Sequence, residues 1–156
     1  MSPVSTSRTA ITSSIASACR CCASEQLVTN VIAKAAETGA AIPAAPVTAT
    51  IKQVQDGVIV RTVDRAGLFE AQTPQVFDPA VLKKAYANLA NVDKAVVTDD
   101  AFLVESIGHP VAIVESDSSN IKITRQSDLP LAEAILKSKP KPKIEGPRGP
   151  FDEAQW

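Results

Sequence analysis

Apolar residues recur at helical spacing from Ser24 onward. Leu27, Val28, Val31, Ile32 and Ala35 fall on one face, Ser24 stands as N-cap, and Glu25 and Gln26 fill the first turn. Gly39 follows as the glycine that ends the helix. The pattern then changes to AAIPAAPV (residues 40–47), a continuous apolar run that predicts a buried strand covered by helices on both faces. TATIKQV and GVIVRTVD alternate apolar with polar positions and meet at Gln55-Asp56-Gly57, which predicts a β-hairpin. Asp78 before Pro79 opens a second helix with Val81, Leu82, Ala85 and Leu89 on its face. Thr98-Asp99-Asp100 reads as a third helix start, with Thr98 as N-cap and the carboxylates at the positive end of the dipole. PVAIVES and NIKIT predict short strands, and Ser127 caps a last helix carrying Leu131, Ala134 and Ile135.

Helices alternating with strands predict an α/β sheet domain with one projecting hairpin. Two flanks stand outside the pattern. Residues 1–23 are rich in Ser, Thr and Ala and read as a disordered leader, with Arg8 and Arg20 too few for a targeting segment. Residues 138–156 are rich in Pro, Lys and Gly and read as a disordered tail. Order is expected over 24–137.

Composition narrows the function classes. The chain has 156 residues, and its net charge of −1 is spread over both signs, which gives no general attraction to nucleic acid or an anionic membrane. An apolar fraction of 45% with only 4% aromatics means that Ala, Val, Ile and Leu build the core. No apolar run reaches the length of a membrane span, so a soluble protein is expected, cytoplasmic, or plastid if the leader is a transit peptide. Cys19, Cys21 and Cys22 cluster as CRCC without distant partners, which predicts free thiols. A zinc site lacks its fourth ligand, because the one histidine, His109, lies far along the chain.

One stretch fits neither helix nor strand. TVDRAGLFEAQTPQVF (residues 62–77) carries an Asp-Arg pair, a glycine and a Thr-Pro-Gln turn. Segments of this kind either cross a surface or line a site. Taken in order, PVTATIK, TVDRAGLFEAQTPQVF, VTDDAFLVE and SDSSNIKITR, followed by a Leu/Ala helix, closely resemble the 2-C-methyl-D-erythritol 4-phosphate cytidylyltransferases. The resemblance runs from about Ala23 to Lys137.

The resemblance implies a Rossmann-like nucleotidyltransferase sheet domain, N-terminally truncated, with a β-hairpin dimerisation arm over about 48–64. It implies that CTP and methylerythritol phosphate are joined with release of pyrophosphate, in the non-mevalonate route to isoprenoids. Magnesium is expected on the nucleotide phosphates, and a homodimer is expected through the arm. By the same resemblance Arg65 and Lys122 hold and orient the reacting phosphate, while Thr50, Thr73 and Thr98 contact the methylerythritol phosphate. Arg20 falls on the nucleotide side. Each has a plainer reading from the residues alone. Arg65 pairs with Asp64, Lys122 lies on the solvent face of a half-buried strand, Thr50 is a strand residue, and Thr73 precedes a proline turn.

The sequence departs from the family in its first part. The family's glycine-rich loop, which wraps the triphosphate, has no counterpart, since no glycine precedes Gly39. IASACR (residues 15–20) overlays the family's His-Asp-Ala-x-Arg with Ala16 and Ser17 at the His and Asp positions. Ala49 and Phe102 stand where Asp and Ser are expected. The expectation is therefore a truncated cytidylyltransferase that is inactive alone. The alternatives are a ribitol-5-phosphate cytidylyltransferase, or a non-catalytic fragment that pairs with an intact homologue.

Overall fold

The computed structural model describes residues 12–14 and 20–140. Its centre is the strand β2 (Ala40–Pro46), every residue of which is buried except Pro46. Alanines at 40, 41 and 44 let helices approach both faces closely, as the unbroken apolar run predicted. β7 (Ala112–Glu115) pairs with β2 in parallel, Ala41 opposite Ala112. On the other side β5 (Phe69–Ala71) and β6 (Gln75–Phe77) run antiparallel to β2, one after the other. β6 also pairs with β1 (Thr12–Ser14), Thr12 opposite Phe77. A backbone strand thus lies within the segment expected to be a disordered leader, and Cys22 nearby is buried.

The two faces of the sheet carry separate cores. Val31 and Ala35 of α1 (Glu25–Thr38) pack on Ala41 and Val76. On the opposite face Ala40, Ile42 and Phe77 meet Ala85 of α2 (Pro79–Ala87) and Ala101, Leu103 and Val104 of α3 (Asp100–Ser106). Adjacent residues of β2 thereby serve opposite layers, the period-2 consequence of the pleat. Ser24 caps α1 through Leu27 N–H at 3.1 Å, and Gly39 closes it in the left-handed conformation, φ +83°. Ile32, expected on the core face, is exposed, because it lies a full residue of helical rotation away from the Val31/Ala35 line. Asp78 caps α2 and Pro79 follows it, as read from the sequence.

Leu89 lies beyond α2 in a 3₁₀ turn, yet still packs on the core. α3 is capped by Asp99, whose carboxylate accepts Phe102 N–H at 2.9 Å, and not by Thr98. NIKIT forms no strand. The N–H groups of Thr124 and Arg125 donate to Asp128 Oδ2, both at 2.9 Å, a local closure that replaces a ladder. Ser127 sits inside the resulting 3₁₀ turn (Gln126–Asp128), and α4 (Leu129–Ser138) begins after it. Its buried residue is Ala132, whereas Leu131 and Ala134 face outward. The disordered tail expected over 138–156 falls, from residue 141 onward, outside the described residues.

β3 (Ile51–Gln55) and β4 (Val58–Val63) form a two-stranded ribbon separate from the main sheet. Its turn places Asp56 and Gly57 at φ +50° and +78°, the conformation that an Asp-Gly hairpin turn requires. Among the described residues no helix is long and apolar enough to cross a membrane.

Candidate active site

The predicted site residues fall into two groups. Thr73, Thr98, Lys122 and Arg20 belong to segments tied together beside the sheet. Thr50 and Arg65 stand at the base of the ribbon.

The first group is organised by residues whose importance the sequence did not announce. Gln72, buried after β5, reaches across β2: its Oε1 accepts from Ser116 Oγ at 2.7 Å and from Asn120 Nδ2 at 2.8 Å. Gln72 Nε2 donates to Asp117 O at 3.2 Å. Asn120, 3% exposed, also donates from Nδ2 to Thr73 O at 3.2 Å. The loop carrying Lys122 is thus fastened to the backbone of Thr73. Lys122 itself is exposed, two residues along from Asn120, with its ammonium at the surface.

Thr98 is joined to Thr73 by a second buried amide. Gln75 Nε2 donates to Asp99 Oδ2 at 2.8 Å, and Gln75 Oε1 accepts Ala101 N–H at 3.1 Å. The Thr-Pro-Gln turn and the start of α3 are therefore one unit. Asp100 takes the Tyr86 hydroxyl at 2.5 Å, and this bond raises the Tyr86 pKa. Asp99 and Asp100 are both committed to the helix start, as the sequence suggested.

Arg20 is not presented outward. Its side chain is 7% exposed, and its guanidinium donates to the carbonyls of Asn120 and, at 3.4 Å, of Ala71. Glu70 lies 3.8 Å away. Burial lowers the Arg20 pKa, opposed by that carboxylate. The side chain expected on the nucleotide side thus closes the back of the Lys122 loop. Ala16 and Ser17, overlaid on the same motif, lie outside the described residues.

At the ribbon base Arg65 donates to Thr48 O, and Asp64 turns away from it to accept Ala66 N–H at 3.0 Å. The simple Asp64–Arg65 ion pair is replaced by two backbone contacts. Four guanidinium N–H groups of the exposed Arg65 remain beyond the one that meets Thr48. Thr50 is exposed on the same connection.

Cys21 and Cys22 are free thiols, the first exposed and the second buried. Cys19 lies outside the described residues. Among the described residues no group of three His, Cys, Asp or Glu side chains converges to hold a metal.

Helices on both faces of a mixed sheet, loops bearing Lys and Thr gathered beside it, and an appended ribbon with Arg65 at its base define an α/β sheet domain. The family model "IspD: 2-C-methyl-D-erythritol 4-phosphate cytidylyltransferase" matches residues 6–138, and the chain belongs to that family. The match begins within the segment expected to be an unrelated leader. The chain is 48% identical over 113 residues to the Bacillus licheniformis 2-C-methyl-D-erythritol 4-phosphate cytidylyltransferase, covering 72% of this chain and 48% of that protein. To the Rhodopirellula baltica protein of the same name it is 52% identical over 109 residues, covering 69% of this chain and 42% of that one. Among solved structures, the Thermus thermophilus enzyme superposes with a TM-score of 0.67 at 38% identity, over 76% of this chain and 58% of that one. The Francisella tularensis enzyme gives 0.68 at 33%, over 74% and 54%. The chain spans about half the length of the curated relatives it matches.

Proposed function

We propose that this chain carries the sugar-phosphate half of a cytidylyltransferase site that joins CTP to 2-C-methyl-D-erythritol 4-phosphate, a step of the non-mevalonate route to isoprenoids in the cytoplasm. An oxygen of the substrate phosphate attacks the α-phosphorus of CTP, the bond from that phosphorus to the β-phosphate bridge breaks, and pyrophosphate leaves. Two polyanions must meet, so the protein's part is positioning and neutralisation. Lys122 supplies a compact charge beside the reacting phosphate. Arg65 supplies a planar fork suited to bidentate phosphate binding. Thr73 and Thr98 take the sugar hydroxyls, and Thr50 with Arg65 is delivered across a homodimer by the ribbon. Magnesium would travel with the nucleotide, and the roles given to these residues do not depend on it.

The observation that carries this reading is the fastening of the Thr73, Thr98 and Lys122 segments into one unit through Asn120 and Gln75. The similarity to 2-C-methyl-D-erythritol 4-phosphate cytidylyltransferases supports methylerythritol phosphate over ribitol phosphate. Calorimetric titration of the chain with methylerythritol phosphate tests it. Binding is expected, with Lys122→Ala and Arg65→Ala each weakening it by about tenfold or more, the scale of one lost charge-assisted contact. Equal affinity for ribitol 5-phosphate, or no response to either substitution, would overturn the assignment.

A further inference from the structure

Resting on that reading, we propose that Asn120 is a positioning residue: with Gln72 it sets where Lys122 stands relative to the substrate phosphate. The connection is direct. Asn120 lies two residues before Lys122, and its Nδ2 bonds both the Gln72 side chain and the Thr73 backbone, tying this loop to the Thr-Pro-Gln turn. Its backbone oxygen takes the Arg20 guanidinium, so the loop is held from both sides.

The chemistry fixes the orientation of the amide. Gln72 Oε1 and Thr73 O are both acceptors, so Asn120 must face them with its NH₂ and cannot turn over. Gln72 is held the same way, because its Nε2 donates to Asp117 O and its Oε1 receives Ser116 Oγ as well. The chain of bonds Ser116–Gln72–Asn120–Thr73 therefore has one direction.

That arrangement has a cost which packing alone would not accept. Asn120 Oδ1 is buried without a hydrogen-bond partner among the described residues. Leaving a buried acceptor unpaired is unfavourable, and an apolar residue of similar shape would avoid it. A group that keeps both donors engaged at that cost fits a requirement for loop position rather than for loop stability. Arg20 fits the same requirement. Its guanidinium, with Glu70 3.8 Å away, pins the loop's backbone at the residue whose side chain makes the tie.

The test uses Asn120→Asp, which keeps the size and loses the donors, and Gln72→Met, which removes the same tie from the other end. Affinity for methylerythritol phosphate is expected to fall about tenfold in either, comparable to one network hydrogen bond. Combined with Lys122→Ala, neither should weaken binding beyond Lys122→Ala alone, because both act through that ammonium. In the ligand-free protein, backbone order parameters across residues 118–124 should drop in both variants. Full additivity with Lys122→Ala, or unchanged order parameters, overturns the positioning role. Should the wild-type chain not bind methylerythritol phosphate, the substrate assignment falls, and the order parameters still decide whether Asn120 holds the loop.

Discussion

Gln75 commits both ends of its amide to one helix start, donating to Asp99 and accepting from Ala101 N–H. A carboxylate in its place would repel Asp99, and a hydrocarbon would offer neither bond. Gln75→Met preserves the volume, strands the Ala101 N–H and leaves Asp99 Oδ2 without its donor. A loss of about 1–3 kcal/mol is expected, the range for a buried polar group left unpaired. Urea denaturation checks it, with a lower midpoint and an unchanged slope. The same variant frees the Thr98 turn from the Thr73 segment, so its substrate affinity should fall as well. The sequence displayed Gln75 within a Thr-Pro-Gln turn, but held no hint of Gln72, Ser116 or Asn120 as a network. Their partners are far along the chain, Gln72 and Asn120 being 48 positions apart. Such pairs have no periodic signature.

What was legible at the level of elements follows the same division between local and distant causes. Gly39 shows a local cause at work. Its φ of +83° ends α1, its N–H meets Ala35 O, and its own carbonyl takes Asp78 N–H, so helix, central strand and next helix are joined at one residue. An added Cβ would be strained at that φ and would also lie 2.9 Å from His109 Nε2, which itself sits 3.2 Å from Thr38 O. Gly39→Ala should therefore cost about 1–2 kcal/mol from the backbone alone, with the His109 contact adding to it. Thermal unfolding of Gly39→Ala, His109→Ala and the double variant separates the parts: His109→Ala should relieve the contact and leave the backbone cost. Caps and glycines of this kind, at Ser24, Asp78 and Gly57, were readable because each acts within four residues. NIKIT misled because alternation describes a face but not a neighbour. No described strand pairs with it, and the Asp128 carboxylate closes its backbone instead. Thr98 misled for a smaller reason: the adjacent Asp99 is the stronger acceptor and took the cap.

For the molecule as a whole, the ribbon of β3 and β4 is the feature that a single copy leaves unexplained. A two-stranded ribbon is at best marginal by itself. Polar pairs hold this one together across the strands, Lys52 Nζ to Thr62 Oγ1 at 2.6 Å and Arg61 Nε to Gln53 Oε1 at 2.7 Å. Yet Val58 and Ile59, consecutive and therefore on opposite faces, are 68% and 59% exposed. Neither face suits water, and neither packs on the two cores described above. The proposed homodimer gives both faces a partner, and it makes a linked prediction. Sedimentation equilibrium of the wild-type chain should give twice the 16.4 kDa chain mass. Val58→Lys with Ile59→Lys should give the single mass, with the thermal midpoint of the sheet domain little changed, because these residues lie outside both cores. Arg65 then decides what the dimer is for. If the ribbon delivers Arg65 to the other copy's site, the monomeric variant should lose as much affinity for methylerythritol phosphate as Arg65→Ala does, and adding Arg65→Ala to it should change nothing further. A monomeric variant that retains full affinity would leave Arg65 serving its own chain, and the ribbon would be an assembly device alone.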